Sequence, residues 1–166
     1  MRTRPHAAHQ PSVVTNVDQV PPLRCAGALV VDDDGRIFIQ RRSPRRRLFP
    51  NCWDIVGGHL EPGESDDDAL RREVTEETGW TVSHVLGQVG SYAYTGDDGL
   101  DRIENDFLVR VDGDLARPRL EAGKHTEFRW IAEHETVILD EHREAGDGLL
   151  RRIVDDGFAA LHSIGL

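Results

Sequence analysis

Three glutamates, Glu73, Glu76 and Glu77, stand at i, i+3 and i+4. On a helix, at about 100° per residue, they fan over roughly 100° of one face. Leu70 and Val74, four apart, lie on the neighbouring face and would press against a sheet. Taken alone, three glutamates read first as an acidic, solvated surface. Like charges so close repel, however, and a divalent cation would resolve that conflict. Mg²⁺ takes hard oxygen ligands and keeps coordination positions open for water and phosphate. Ahead of the segment, Gly57 and Gly58 permit tight turns through which a main-chain carbonyl can point at a metal. Glu64 stands eight residues before Arg72 and can pair with it, locking loop to helix.

These residues need a helix to carry them, and the local chemistry supplies one between Pro62 and Gly79. Ser65 is a natural N-cap, Asp66, Asp67 and Asp68 put negative charge on the first turn, and Gly79 suits a left-handed residue past the end. Strand patterns run from Cys25 to Val31 and through RIFIQRR, separated by the DDDG turn at Asp32 to Gly35, and read as a hairpin. Further strands are expected at Val82 to Tyr94, Asn105 to Val111 and Glu127 to Ile131. Leu149, Leu150, Ile153, Val154, Phe158 and Leu161 repeat at helical spacing and predict a second helix over Gly148 to His162. Strands before and after a helix, with a terminal helix, predict an α/β fold with a mixed sheet covered on two faces. Residues 1–22, with four prolines and little periodicity, read as a flexible tail, and 23–166 as one domain.

The segment GHLEPGESDDDALRREVTEETGW resembles the Nudix box, G-x5-E-x7-R-E-U-x-E-E-x-G-U, where U is bulky and apolar. Gly58, Glu64, Arg72, Glu73, Val74, Glu76, Glu77, Gly79 and Trp80 fill it, Trp80 being the less usual choice at the last slot. Seven exact residues at fixed offsets arise by chance on the order of once in 10⁵, which makes this the sequence's strongest signal. FPNCWDIVGGHLEPGE resembles the lead-in of nucleotide-cleaving members. The resemblance implies an αβα sandwich and a Mg²⁺-dependent pyrophosphohydrolase, with Mn²⁺ as a second possible ion. It also implies that Glu73, Glu76 and Glu77, with the carbonyl of Gly57, hold one to three ions, and that Glu64 and Arg72 form a structural ion pair. The general base would be Glu76 or Glu77, with Glu121, in the loop RLEAGKHTEFRW, as a further candidate base or ligand.

Five arginines, Arg41, Arg42, Arg45, Arg46 and Arg47, form a basic island in an acidic chain of net charge −10. Guanidinium matches phosphate oxygens bidentately, so Arg41 or Arg42, at a strand end, are candidate phosphate binders. The alternative is a solvated loop pairing with acids. Tyr92, Tyr94 and Trp53 could stack on a base, although core packing suits Trp53 better. His125 could touch substrate, but a lone loop histidine is usually surface.

The acidic balance argues against nucleic-acid polymers. No apolar run is long enough to span a bilayer. Two cysteines outside any paired metal spacing, and no secretory or amphipathic leader pattern, predict a reduced, cytoplasmic chain. A homodimer is left open. Subfamily markers expected downstream of the box are missing, a proline for ADP-ribose hydrolases and a tyrosine for dinucleoside polyphosphate hydrolases. Nucleoside triphosphates therefore lead as substrate by elimination, with a sugar nucleotide open. A non-catalytic nucleotide-sensing module would erode the box, and an isomerase of isoprenoid diphosphates would break it and carry catalytic cysteine and glutamate elsewhere.

Overall fold

The computed structural model describes residues 20–166, so most of the expected tail at 1–22 lies outside the described residues. Seven strands follow in the order β1 (Leu23–Val30), β2 (Ile37–Arg42), β3 (Trp53–Asp54), β4 (Val56–His59), β5 (Thr81–Thr95), β6 (Asp101–Asp112) and β7 (His125–Ile131). Helix α1 (Asp66–Thr78) sits between β4 and β5, and a 3₁₀ helix (Glu133–Asp140) leads to helix α2 (Leu149–Ser163). β4-β1-β6-β5 form a mixed sheet in which β1 and β6 run parallel, and β3-β2-β7 form a smaller antiparallel one.

Side chains alternate across the strands, and the two helices take opposite faces. Ala28 and Val30 of β1, Phe38 of β2 and Val109 of β6 pack with Leu70 and Val74 of α1. Leu29, Ile37, Ile39 and Leu108 face the other way, onto Ile153, Val154 and Phe158 of α2. The result is the expected αβα sandwich. Burying Leu70 and Val74 stabilises α1 against the sheet by about 1.5–3 kcal/mol each, and a charge at Val74 would detach the helix.

The hairpin expectation needs correction. β1 and β2 belong to different sheets and meet only at the isolated bridge Val31↔Ile37. Beyond that bridge they diverge, β1 pairing with β4 and β6, and β2 with β3 and β7. The turn chemistry was real, but each strand found a longer ladder with distant partners. A cleft opens where they part.

Candidate active site

α1 is fixed at both ends. The Ser65 hydroxyl accepts the Asp68 N–H at 3.1 Å, the Asp68 carboxylate accepts the Ser65 N–H at 3.4 Å, and Gly79 closes the helix at φ 75°. Trp80 then anchors the far end by packing edge-on against Phe38, ring centroids 4.9 Å apart, with its Nε1–H donating to the Asp114 carbonyl at 3.0 Å. The last turn holds Glu76 and Glu77 and no basic residue, although the negative end of the helix dipole disfavours carboxylates there. A cation would relieve that arrangement.

Arg72 organises the acids. Its guanidinium forks onto Glu64 at 2.8 and 2.9 Å, reaches Glu73 at 2.7 Å and Glu76 at 3.3 Å, and donates to the His59 carbonyl at 3.0 Å. Hydrogen bonding from Arg72 holds the Glu64 carboxyl down at about 2. Glu73 lies over Gly58, where any Cβ would collide with its carboxylate. Burial pushes the Glu73 carboxyl up despite Arg72. Glu76 is half exposed at the rim.

Glu77 is buried, at 6% exposure. Its carboxylate accepts Gln40 Nε2–H at 2.6 Å and the Gly57 N–H at 3.2 Å. Burial first, then the charges of Glu73 and Asp54, push it up to about 8. The contact shown for Gly57 is thus its amide, to the acid, where its carbonyl had been expected at a metal. Glu121 arrives from the loop before β7 with Lys124 Nζ at 2.5 Å. One ligand atom each from Glu77, Glu121 and His125 lie within 4.8 Å of one another. His125 is buried at 7% exposure, contrary to its surface expectation, because it opens β7 opposite Arg42 and faces inward.

The basic island divides. Arg42 donates to the Leu48 carbonyl at 2.8 Å and to Asp54 at 3.1 Å, and with Arg46 it lines a cavity of about 400 Å³ between the sheets. Arg41 points to the opposite face of β2. There it bridges Glu127 and Glu141 at 3.1 and 2.8 Å and lies 4.7 Å over the Trp53 ring, so its expected phosphate role finds no support in its position. Trp53 is wholly buried, and Tyr92 is buried beside α2 with its hydroxyl on Asp156 at 2.7 Å. Tyr94 lines the cavity with its hydroxyl bonded to Glu104.

A family model described as the NUDIX domain matches residues 21–153. The chain belongs to the Nudix family. A Nudix hydrolase from Nostoc, named as uncharacterized, is 41% identical over 76 residues, covering 43% of this chain and 45% of its own length. The chain thus spans less than half of that relative. Nucleoside triphosphatase NudI of Escherichia coli is 28% identical over 121 residues, 67% of this chain and 83% of that protein. Isopentenyl-diphosphate Delta-isomerase of Kocuria rhizophila is 28% identical over 140 residues, 80% and 78% respectively. The MutT protein from Methanosarcina mazei shares the fold, with TM-score 0.70 and 24% identity over 87% of this chain and 99% of that one.

This Nudix chain also carries site features that were missed in the sequence reading: Gln40, Asp54, Glu104 and Asp106. Glu104 and Asp106 alternate on β6 and both face the space between the sheets, where burial pushes each carboxyl well above the carboxylate range. Neither Asp106 oxygen has a hydrogen-bond partner, and the neighbouring Glu104 carboxyl adds to the upward push. The signal was present as acids at i and i+2 within a strand, which the strand repeat turns to one face.

Proposed function

We propose that this chain is a divalent-cation-dependent pyrophosphohydrolase that cleaves a phosphoanhydride bond in a nucleoside di- or triphosphate or a nucleoside diphosphate derivative. The observation that carries this reading is a juxtaposition. Glu77 and Glu73 sit against Gly57 and Gly58, which line the cleft that Arg42 and Arg46 also line, and Glu121 converges on Glu77. The donor set suits a hard cation, Mg²⁺ or Mn²⁺. Such an ion, when bound, would lower the pKa of a water and neutralise phosphate charge.

The chain's own residues supply the rest. Glu73 and Glu77 are the proposed ligands, held in place by Arg72, Gln40 and the Gly57 amide. Glu76, half exposed and held only by the 3.3 Å contact from Arg72, is the proposed base, and Glu121 is the alternative. Arg42 and Arg46 would bind phosphate oxygens, with Tyr94 further along the cavity for the remainder of the substrate. Nucleoside triphosphates lead as substrate because NudI, a relative over two thirds of this chain, is named a nucleoside triphosphatase. A small-molecule substrate and a cytoplasmic setting belong to the same proposal. Among the described residues no helix is long and apolar enough to cross a membrane.

A second reading has one observation behind it. The relatives named isomerases coincide with a pair of carboxyls that burial raises, Glu104, which lines the cavity, and Asp106, two residues on along β6. One experiment separates the two: incubation with a panel of nucleoside di- and triphosphates, nucleotide sugars and isopentenyl diphosphate, with Mg²⁺ and with EDTA. Cation-dependent release of phosphate or pyrophosphate from a nucleotide is the expected outcome. Turnover of isopentenyl diphosphate alone would replace the first reading by the second.

A further inference from the structure

Resting on the metal-dependent reading, we propose that His125 supplies a nitrogen ligand to a cation shared with Glu77 and Glu121. The innermost metal position is then a mixed nitrogen and oxygen site that takes Mn²⁺ or Co²⁺ in preference to Mg²⁺. Neither the box motif nor the acidic helix face calls for a histidine here, and the assignment comes from how these three side chains converge.

The geometry is the first support. Donors on a single ion, at bond lengths of about 2.1 Å, lie roughly 3 to 4.2 Å apart. The ligand atoms of Glu77, Glu121 and His125 already lie within 4.8 Å of one another, so small side-chain rotations would close the set. The three come from separate places, α1, the loop before β7 and the first residue of β7, which makes them a converging set rather than a run of acids along one helix.

Unanswered hydrogen-bonding groups are the second support. Nδ1 of His125 is buried without a partner. If the ring merely filled space, that nitrogen would be an exception to the pairing of buried polar atoms. Gln40 is fully buried on the neighbouring strand, its Nε2 on Glu77 and its Oε1 without a donor. An amide oxygen beside Glu77 is a further hard donor available to the same ion. Lys124 now sits on Glu121, and a bound ion would displace it.

Imidazole shifts selectivity along the first-row divalent series, away from Mg²⁺. Removing His125 should therefore weaken Mn²⁺ and Co²⁺ far more than Mg²⁺. The test uses the full chain. Mn²⁺-loaded wild type, with histidine carrying ¹⁵N or natural nitrogen, is measured by pulsed electron paramagnetic resonance. Mg²⁺, Mn²⁺ and Co²⁺ affinities are then titrated for wild type, His125→Gln and His59→Gln. The expected result is a nitrogen coupling that changes isotope with the label and vanishes in His125→Gln but not in His59→Gln. Mn²⁺ and Co²⁺ should bind about 10- to 100-fold more weakly in His125→Gln, and Mg²⁺ less than about threefold more weakly. Wild type that binds Mn²⁺ with no nitrogen coupling overturns the assignment while leaving the metal-dependent reading intact, and needs no variant to fold. Equal weakening of all three ions in a folded His125→Gln protein overturns it as well. Failure of wild type to bind any of the ions overturns both.

Discussion

On α1, Glu73 and Glu76 share the guanidinium of Arg72, and Glu77 has an amide N–H and the Gln40 side chain to donate to it. On β6, Glu104 has Tyr94, and Asp106 has only the Glu104 carboxyl among the groups that reach it. The fold settles the repulsion within the two groups of acids differently. The helix set is graded from Glu77, which burial also raises, to about 8, to half-exposed Glu76, and it is furnished with N–H donors that stabilise its carboxylates. The strand pair lacks a cationic partner in contact, and burial raises both of its carboxyls. Acid count therefore says little about metal binding. What separates the two groups is the supply of N–H donors, present on the helix and absent at Asp106.

The largest expected effect lies on the helix side. Glu77→Gln should keep the fold and lose at least about a hundredfold in kcat, since a metal ligand acts mainly in the transition state. Near wild-type turnover of the purified variant would erase the distinction between the two walls. Next comes the cavity guanidinium. Arg42→Ala should raise KM about tenfold with a smaller change in kcat, as expected of a group that binds phosphate in ground and transition states alike. A fall in kcat at constant KM would instead place Arg42 at the reacting centre.

The helix side was legible because its signals are local. Cap residues, the i, i+3, i+4 glutamates and the Glu64 to Arg72 interval all fall within one stretch of chain, and α1 formed where they indicated. Arg41 and Arg42 show the limit. Adjacent arginines in a strand point to opposite faces, and only the strand's partners decide which face meets the cleft. Gln40 was hidden, and His125 was expected at the surface, for a related reason: each meets residues distant in sequence, Gln40 bonding Glu77 and His125 lying opposite Arg42 where β2 pairs with β7. The splitting of the β1–β2 hairpin into two sheets has the same origin, since long-range ladders outweighed a clear turn signal.

Asp106 offers a test on stability instead of rate. A carboxyl whose folded-state pKa is raised binds its proton more tightly folded than unfolded, so stability falls as pH rises from the ordinary carboxylate range towards the raised value. Asp106→Asn imitates the neutral acid. It should melt close to wild type at pH 4 and several degrees above it at pH 9, each kcal/mol being worth roughly 2–4 °C in a domain of this size. Thermal melts across that range, in metal-free buffer, read the difference. A constant offset at all pH values would mean that Asp106 is ionised in the folded protein and that the two walls do not differ as argued.

The smallest effect is expected from Arg41→Ala, and it concerns where the cleft ends. Arg41 is hydrogen-bonded and stacked entirely on the α2 side of β2, with Glu141 also accepting the Trp53 indole N–H at 3.0 Å. Its two carboxylate partners are about half exposed, and such ion pairs contribute about 0–1 kcal/mol. Stacking over Trp53 adds about 0.5–1 kcal/mol. Together these predict a loss of about 1–2 kcal/mol, or roughly 2–8 °C in Tm, with kcat and KM unchanged within about twofold. Arg41→Lys would keep the charge but lose the planar stacking and the two-pronged bridge, so it should recover only part of the Tm. If Arg41→Ala raised KM as much as Arg42→Ala while leaving Tm untouched, the side chain would have to swing into the cleft when substrate binds, and the face of β2 would not set which arginine meets phosphate.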